Sequence, residues 1–200
     1  MNQPQACPPQ VYLASVSPRR QELLSQIGVN FQQLSVDVEE QRSESETPEQ
    51  YVKRVALDKA QAGWNSEERV LGIPVLGADT EVVVDGQVMG KPQDHQHAME
   101  MLDKLSGKEH QVISVVALVQ GSRQQLLVNL NKVYFRDLSQ EEKQAYCKSG
   151  GPLGKAGGYG IQGLAAAFIS HLEGSYSGVM GLPLYETSKL LREFGIDVLK

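Results

Sequence analysis

The stretch VYLASVSPRRQELLSQIG, Val11 to Gly28, decides the class of fold. Val11 to Ser15 is a short apolar run that reads as a buried strand, and the chain then passes almost at once into a helix. Ser17 stands at the N-cap and Pro18 at the first helical position, where a missing N–H is tolerated. Leu23, Leu24 and Ile27 recur at helical spacing, and Gly28 supplies the stop. A strand that feeds directly into a helix opens an α/β sheet.

Working outward, the alternation continues. Phe31 to Val36 reads as a strand and leads into the acidic loop DVEEQRSESE, residues 37–46. Thr47-Pro48-Glu49-Gln50 then starts a long helix, with a hydroxyl cap and Gln at the position that closes a capping box. Its apolar stripe, Tyr51, Val52, Val55 and Ala56, continues at the same spacing onto Lys59, which aims that lysine inward or along a cleft. Arg54 and Asp58 read as an ordinary i,i+4 pair on a more exposed face. Pro74 to Ala78 is an apolar strand ending at Asp79-Thr80, and VVVDGQVM (Val82 to Met89) is a hairpin around Asp85-Gly86. Asp94 to Leu105 is an amphipathic helix stopped by Gly107. Gln111 to Val119 and Gln124 to Phe135 pair across Gly121-Ser122, Ser139 caps a short helix, and Leu182 to Phe194 is the last one. Helices interleaved with strands, at least one hairpin among them, predict an α/β protein with a mixed twisted sheet and flanking helices. Residues 11–200 form one domain, and residues 1–10, with Pro4, Pro8 and Pro9, read as a flexible N-terminal arm.

Composition narrows the function classes. The chain has 200 residues, 40% apolar and 22% charged, as expected of an ordinary folded domain. Cys7 and Cys147 are too few for a disulfide framework, no secretory leader is visible, and no apolar run approaches the ~18 residues of a membrane span. A reducing, cytoplasmic setting is the expectation. Lysine and arginine number 19 against 24 aspartate and glutamate, for a net charge of −5. That balance argues against a surface that coats nucleic acid or an anionic membrane, so any polyanion must be met by a local site.

Several residues carry candidate chemistry. Arg19 and Arg20 lie in the first turn of the helix that Ser17 opens, where the helix dipole disfavours cations and an anion would repair the arrangement; a phosphate site and a solvated arginine pair are the two readings. Asp79 follows an apolar run and so stands at a strand mouth, where open sheets put ligands, or else it caps a turn. Glu39 and Glu40 are hard oxygen donors of the kind Mg2+ prefers, or a solvated acidic face. Lys59 on its apolar stripe and Lys91 pinned between Gly90 and Pro92 are candidate phosphate contacts, or snorkelling and loop lysines. Gly158, Gly160 and Gly163 spell a formal G-x-G-x-x-G, but no strand precedes them and no acidic residue follows at the required distance. What remains there is a loop able to press its backbone, Lys155, Tyr159 and Gln162 against a ligand. His95, His97, His110 and His171 show no metal spacing.

The ordered set ASVSPRR, DVEE, RVALDKA, GADT, GKP, KAGGYGIQG and GSYSGVMGLPL, spanning Val11 to Phe194, resembles the Maf family of nucleoside triphosphate pyrophosphatases. The resemblance implies an inosine triphosphate pyrophosphatase-like fold, bilobed with a central cleft, and hydrolysis between the α- and β-phosphates with a divalent cation, Mg2+ or Mn2+. The local variants SPRR, ADT and YGIQG are similar to those of members acting on dTTP and UTP. It further implies Asp79 as proton acceptor. Arg19, Thr80 and Gln162 would fall at base-selecting positions. Ser17, Arg20, Lys59 and Lys91 would surround the triphosphate, and Glu40 with Asp79 the metal. Pyrimidine nucleoside triphosphates are then the partners, with neither nucleic acid nor membrane, and a homodimer is an open alternative. The competing class is a non-hydrolysing nucleotide-binding regulator of cell division, since bacterial members are associated with inhibition of septum formation. Two positions depart from the family pattern: Gly154 replaces an aspartate, and Glu81, usually apolar, puts a second carboxylate close to Asp79.

Overall fold

The centre of the computed structural model, which describes residues 8–199, is the ten-residue strand β3 (Val75–Val84). Around it run β1 (Val11–Leu13), β2 (Phe31–Gln33), β4 (Gln87–Met89), β5 (Glu109–Gln120), β6 (Arg123–Phe135) and β7 (Ile169–Glu173). The order across the sheet is β2-β1-β3-β5-β6-β7, with β4 paired to the far end of β3. The β1 contacts to β2 and β3 are parallel and all other pairings antiparallel, which makes the expected mixed sheet. The Asp85-Gly86 turn joins β3 to β4 with φ of 49° and 75°, the left-handed pair that a two-residue hairpin needs.

One feature of this topology places the site. β5 lines one edge of β3 from Val75 to Val83. On the other edge β1 pairs only with Val75 and Leu76, and β4 only with Val82, Val83 and Val84. Residues 77–81 are left with a ladder on one side and an opening on the other. Asp79 and Thr80 were expected at the end of a strand; they lie in its middle, because the β5 register continues straight past them. The strands expected over Val11–Ser15 and Phe31–Val36 are likewise shorter, since β1 and β2 separate after Leu13 and Gln33.

The helices are α1 (Pro18–Gln26), α2 (Pro48–Trp64), α3 (His95–Leu105), α4 (Gln140–Lys148), α5 (Tyr176–Met180) and α6 (Leu184–Glu193). Capping boxes open α2, through Thr47 and Gln50, and α4, through Ser139 and Glu142. Ser17 occupies the N-cap of α1, but its hydroxyl caps nothing. α2 covers one face of the sheet, where Tyr51, Val52, Val55, Ala56 and Ala60 pack on Val83 and on Ile113, Val115, Ala117 and Val119 of β5. The opposite face carries two cores. One joins Leu23, Leu24, Leu76, Val116, Leu190 and Leu191; the other joins Val82, Met101, Leu102, Leu105, Val133 and Phe135. Between them runs a polar row, Thr80, Ser114 and Asn129, in register across β3, β5 and β6.

Of the expected N-terminal arm, residues 1–7 lie outside the described residues. Gln10 is tied by its main-chain N–H to the Asn30 carbonyl (2.8 Å), and its side-chain oxygen accepts from the Asn30 N–H (2.9 Å). Among the described residues no helix is long and apolar enough to cross a membrane.

Candidate active site

The opening beside β3 is a cleft of about 350 Å³, within the usual size range of small-molecule sites. Alternate residues of β3 point to opposite faces, yet both sets reach the cleft because it lies at the free edge. Asp79 and Glu81 turn toward α2, and Thr80 turns to the polar row. The sequence spacing aimed Lys59 inward, and α2 carries it there: it is 8% exposed. Its Nζ donates to Asp79 Oδ1 at 2.9 Å and meets Glu40 Oε1 at 2.6 Å, while Lys91 Nζ reaches Glu40 Oε2 at 3.1 Å. Acid and base thus alternate in the chain Asp79, Lys59, Glu40, Lys91. Burial alone would push the Glu40 carboxyl up, but the two lysines outweigh it and hold it at about 2.

Two carboxylate oxygens in this cluster stand apart. Asp79 Oδ2 and Glu81 Oε2 are buried and accept no hydrogen bond from the described residues. An unmet buried acceptor costs about 1–3 kcal/mol, so a group beyond the protein is the natural partner. Burial, reinforced by Asp79, pushes Glu81 up to about 8, and at neutral pH this added carboxyl is mostly protonated.

On the other side of β3, Arg20 is held by a relay. Its Nε donates to the Gly181 carbonyl (2.9 Å), and its terminal nitrogens donate to Ser15 Oγ (3.3 Å) and Thr80 Oγ1 (3.5 Å). Thr80 Oγ1 shares a hydrogen bond with Ser114 Oγ (2.8 Å), which donates to the Gly178 carbonyl (2.7 Å). The Thr80 hydroxyl is therefore engaged in fixing Arg20. Burial lowers the Arg19 and Arg20 guanidinium pKa values, and Asp79 partly offsets this at Arg20.

Ser17, Arg19, Arg20, Glu40, Lys59, Asp79, Thr80, Lys91 and Gln162 all line this one cleft, whereas Glu39, the other candidate oxygen donor, does not. Five cationic side chains, Arg19, Arg20, Lys59, Lys91 and Lys155, face three acidic ones, Glu40, Asp79 and Glu81. The net charge of the chain is negative, but that of the cleft is positive. Tyr159 also lines the cleft, as expected, but only by an edge. It is 5% exposed, its ring sits in the core, and its hydroxyl is 2.8 Å from Nε2 of His110, a residue that reads as isolated in the sequence. Ser15 and Ser114 had not been singled out, because small polar residues acquire meaning only through partners dozens of positions away.

Donor chemistry for a divalent metal is present. Among the described residues no three acidic, histidine or cysteine side chains form a ready-made metal cage. Mg2+, however, takes one or two protein carboxylates and completes its shell with water and substrate phosphate. The free Oδ2 of Asp79 and the carboxylate of Glu40 fit that demand.

A family model described as Maf-like protein matches residues 10–194. The chain belongs to this family. Its Maf-like relatives include a protein of Bordetella parapertussis, 52% identical over 96% of both chains, and one of Alkalilimnicola ehrlichii, 51% identical over 94% of this chain and 95% of that one. A third, from Aliivibrio fischeri, is 49% identical over 92% of this chain and 98% of its own. All three carry the name dTTP/UTP pyrophosphatase. Among solved structures, that of the Staphylococcus aureus Ham1 protein overlays this Maf-like chain with a TM-score of 0.44 and 15% identity, covering 70% of this chain and 98% of that one.

Proposed function

We propose that this Maf-like chain is a nucleoside triphosphate pyrophosphatase that cleaves dTTP and UTP to the monophosphate and pyrophosphate. The observation that carries the reading is the Asp79 carboxylate, on a residue that lines a cationic cleft: one oxygen is fixed by Lys59, and the other is buried and takes no hydrogen bond from the described residues. Binding a polyphosphate needs the cations of this cleft but not a carboxylate oxygen kept clear of them. In a hydrolase it is a general base.

The residues then divide the work. Arg20, locked by Gly181 and Thr80, and the first turn of α1 with Ser17 and Arg19 receive phosphate oxygens. Lys59 and Lys91 steady the charge that grows on the leaving pyrophosphate. Asp79 Oδ2 takes the proton of a water that attacks the α-phosphorus as the α–β phosphoanhydride bond breaks. Glu40 and Asp79 would hold a divalent cation, Mg2+ or Mn2+, which when bound would neutralise phosphate charge and acidify water. Gln162, exposed on the cleft wall, offers both donor and acceptor to a pyrimidine edge. Arg19, on the same cleft, is the second base-selecting group, and Thr80 contributes through Arg20. The reading puts the enzyme in the cytoplasm, with the nucleotide pool it acts on.

The test is pyrophosphate release from dTTP, UTP and 7-methyl-GTP with Mg2+ or Mn2+, for the wild type and Asp79→Asn. Turnover of the two pyrimidine nucleotides and a loss of about 10²–10⁴-fold in the variant are expected. Undiminished turnover in Asp79→Asn would remove the aspartate from the mechanism, and binding without pyrophosphate release would leave a nucleotide-binding regulator.

A further inference from the structure

The loop that brings Glu40 to the cleft, residues 37–46, belongs to no strand or helix, and among the described residues the Glu40 side chain bonds to Lys59 and Lys91 alone. Its placement must come from the backbone. Three consecutive carbonyls of that backbone are gripped from α2. Arg54 Nη1 donates to the Glu39 carbonyl (3.4 Å), Tyr51 Oη donates to that of Glu40 (2.8 Å), and Arg54 Nη2 donates to that of Gln41 (2.9 Å). Tyr51 and Arg54 are three residues apart and so project from neighbouring turns of one helix face.

The far end of the loop is tied to the same guanidinium. Arg54 Nε meets Glu46 Oε1 at 2.6 Å and Nη2 meets Oε2 at 3.1 Å, a two-point grip on the carboxylate. Glu46 Oε2 also accepts from the Ser43 N–H (3.0 Å), and the Glu46 carbonyl accepts from Arg42 Nε (3.0 Å), so the loop closes on itself around that grip. The Asp58 contact that the sequence spacing had offered is longer, at 3.4 Å. Neither Arg54 nor Tyr51 lines the cleft.

Resting on the function read from that cleft, we infer that Arg54 and Tyr51 are positioning residues that set Glu40 at the catalytic site by clamping the carbonyls on either side of it and its own. The guanidinium is the group suited to this task, because its planar fork can span two carbonyls and a carboxylate at once; an ammonium is a point charge and cannot. A misplacement of about 1 Å at a catalytic group costs on the order of 10²-fold in rate. Released from the clamp, Glu40 keeps its lysine partners but loses its fixed distance to Asp79.

The test is a double-mutant cycle with hydrogen exchange alongside it. Arg54→Met keeps the aliphatic stem and is expected to lower kcat/KM for dTTP by about 10–100-fold. In a Glu40→Gln background the same change is expected to cost less than about threefold, since the group being positioned is already disabled. Tyr51→Phe keeps the buried ring and removes one hydroxyl, so it gives a smaller loss coupled to Glu40 in the same way and serves if Arg54→Met does not fold. Amide exchange over residues 37–46 is expected to quicken in Arg54→Met while exchange in β3 and β5 stays unchanged. Equal losses in the two backgrounds would overturn the clamp, as would unaltered exchange over 37–46. The exchange experiment reads the loop whether or not the chain cleaves a nucleotide, so an inactive wild type would count against the function and not against the clamp.

Discussion

At the scale of single residues, the site turns on Lys59. Its ammonium is buried with side-chain exposure of 10%, paired with Glu40 and with an Asp79 side chain that is itself 9% exposed, and the buried Asp79 charge is tolerable there because of the lysine. Removing one member of such a pair leaves a buried charge uncompensated, typically at about 3–5 kcal/mol. Lys59→Met is therefore expected to destabilise the fold by that order in urea denaturation. Adding Asp79→Asn, which deletes the orphaned charge, is expected to restore part of the loss. If Lys59→Met and the double variant unfold at the same urea concentration, the two groups are not energetically coupled. The same logic explains why Glu81 is tolerated on this face: with its pKa raised to about 8 by burial and by Asp79, it adds little negative charge near neutral pH.

At the scale of elements, the site depends on how closely α2 lies against β3. A Cβ placed on Gly77 would come within 2.3 Å of the Ala56 carbonyl oxygen and 2.6 Å of the Ala60 nitrogen, both main-chain atoms of α2. Gly77→Ala must push the helix off the strand, and that helix carries Lys59, Arg54 and Tyr51 together. A destabilisation of about 1–3 kcal/mol is expected, with a loss of pyrophosphatase activity larger than the thermal shift explains. A variant with full activity and unchanged melting would show that the contact is slack. Much of this architecture is legible in the sequence because it is local: Thr47 with Gln50, Ser139 with Glu142, and Asp85-Gly86 each define an element end within four residues. The inward aim of Lys59 is legible too, from the stripe it extends. The passage of β3 through Asp79-Thr80 is not, because it depends on β5, some 35 residues later, continuing its register past a polar pair. The i,i+4 pair of Arg54 with Asp58 is visible locally and is present at 3.4 Å, while the carbonyls that Arg54 also holds belong to a loop that only the fold brings to it.

At the scale of the whole molecule, the glycine-rich loop meets the core of Val82, Met101, Val133 and Phe135 through a buried polar pair, His110 and Tyr159. The His110 ring is 2% exposed, packs edge-on against Phe135 at 5.1 Å between centroids, and keeps its Nδ1 without a partner. Burial lowers its pKa to about 4, with only weak opposition from neighbouring Glu109. The unfolded chain, where a histidine titrates near 6.5, binds the extra proton first as pH falls. Stability from keeping this ring neutral is therefore complete above about pH 6.5 and is lost progressively as pH drops toward 4, by about 3 kcal/mol in all. Comparing the wild type with His110→Gln isolates the effect, since the carboxylates that titrate in the same window are common to both. The difference in their unfolding free energies is expected to shrink or reverse between pH 6.5 and pH 4. A difference that stays constant across that window would mean that the ring is hydrated or already charged in the fold, and that the glycine loop is held against the sheet by its packing on Val82 and Met101 instead.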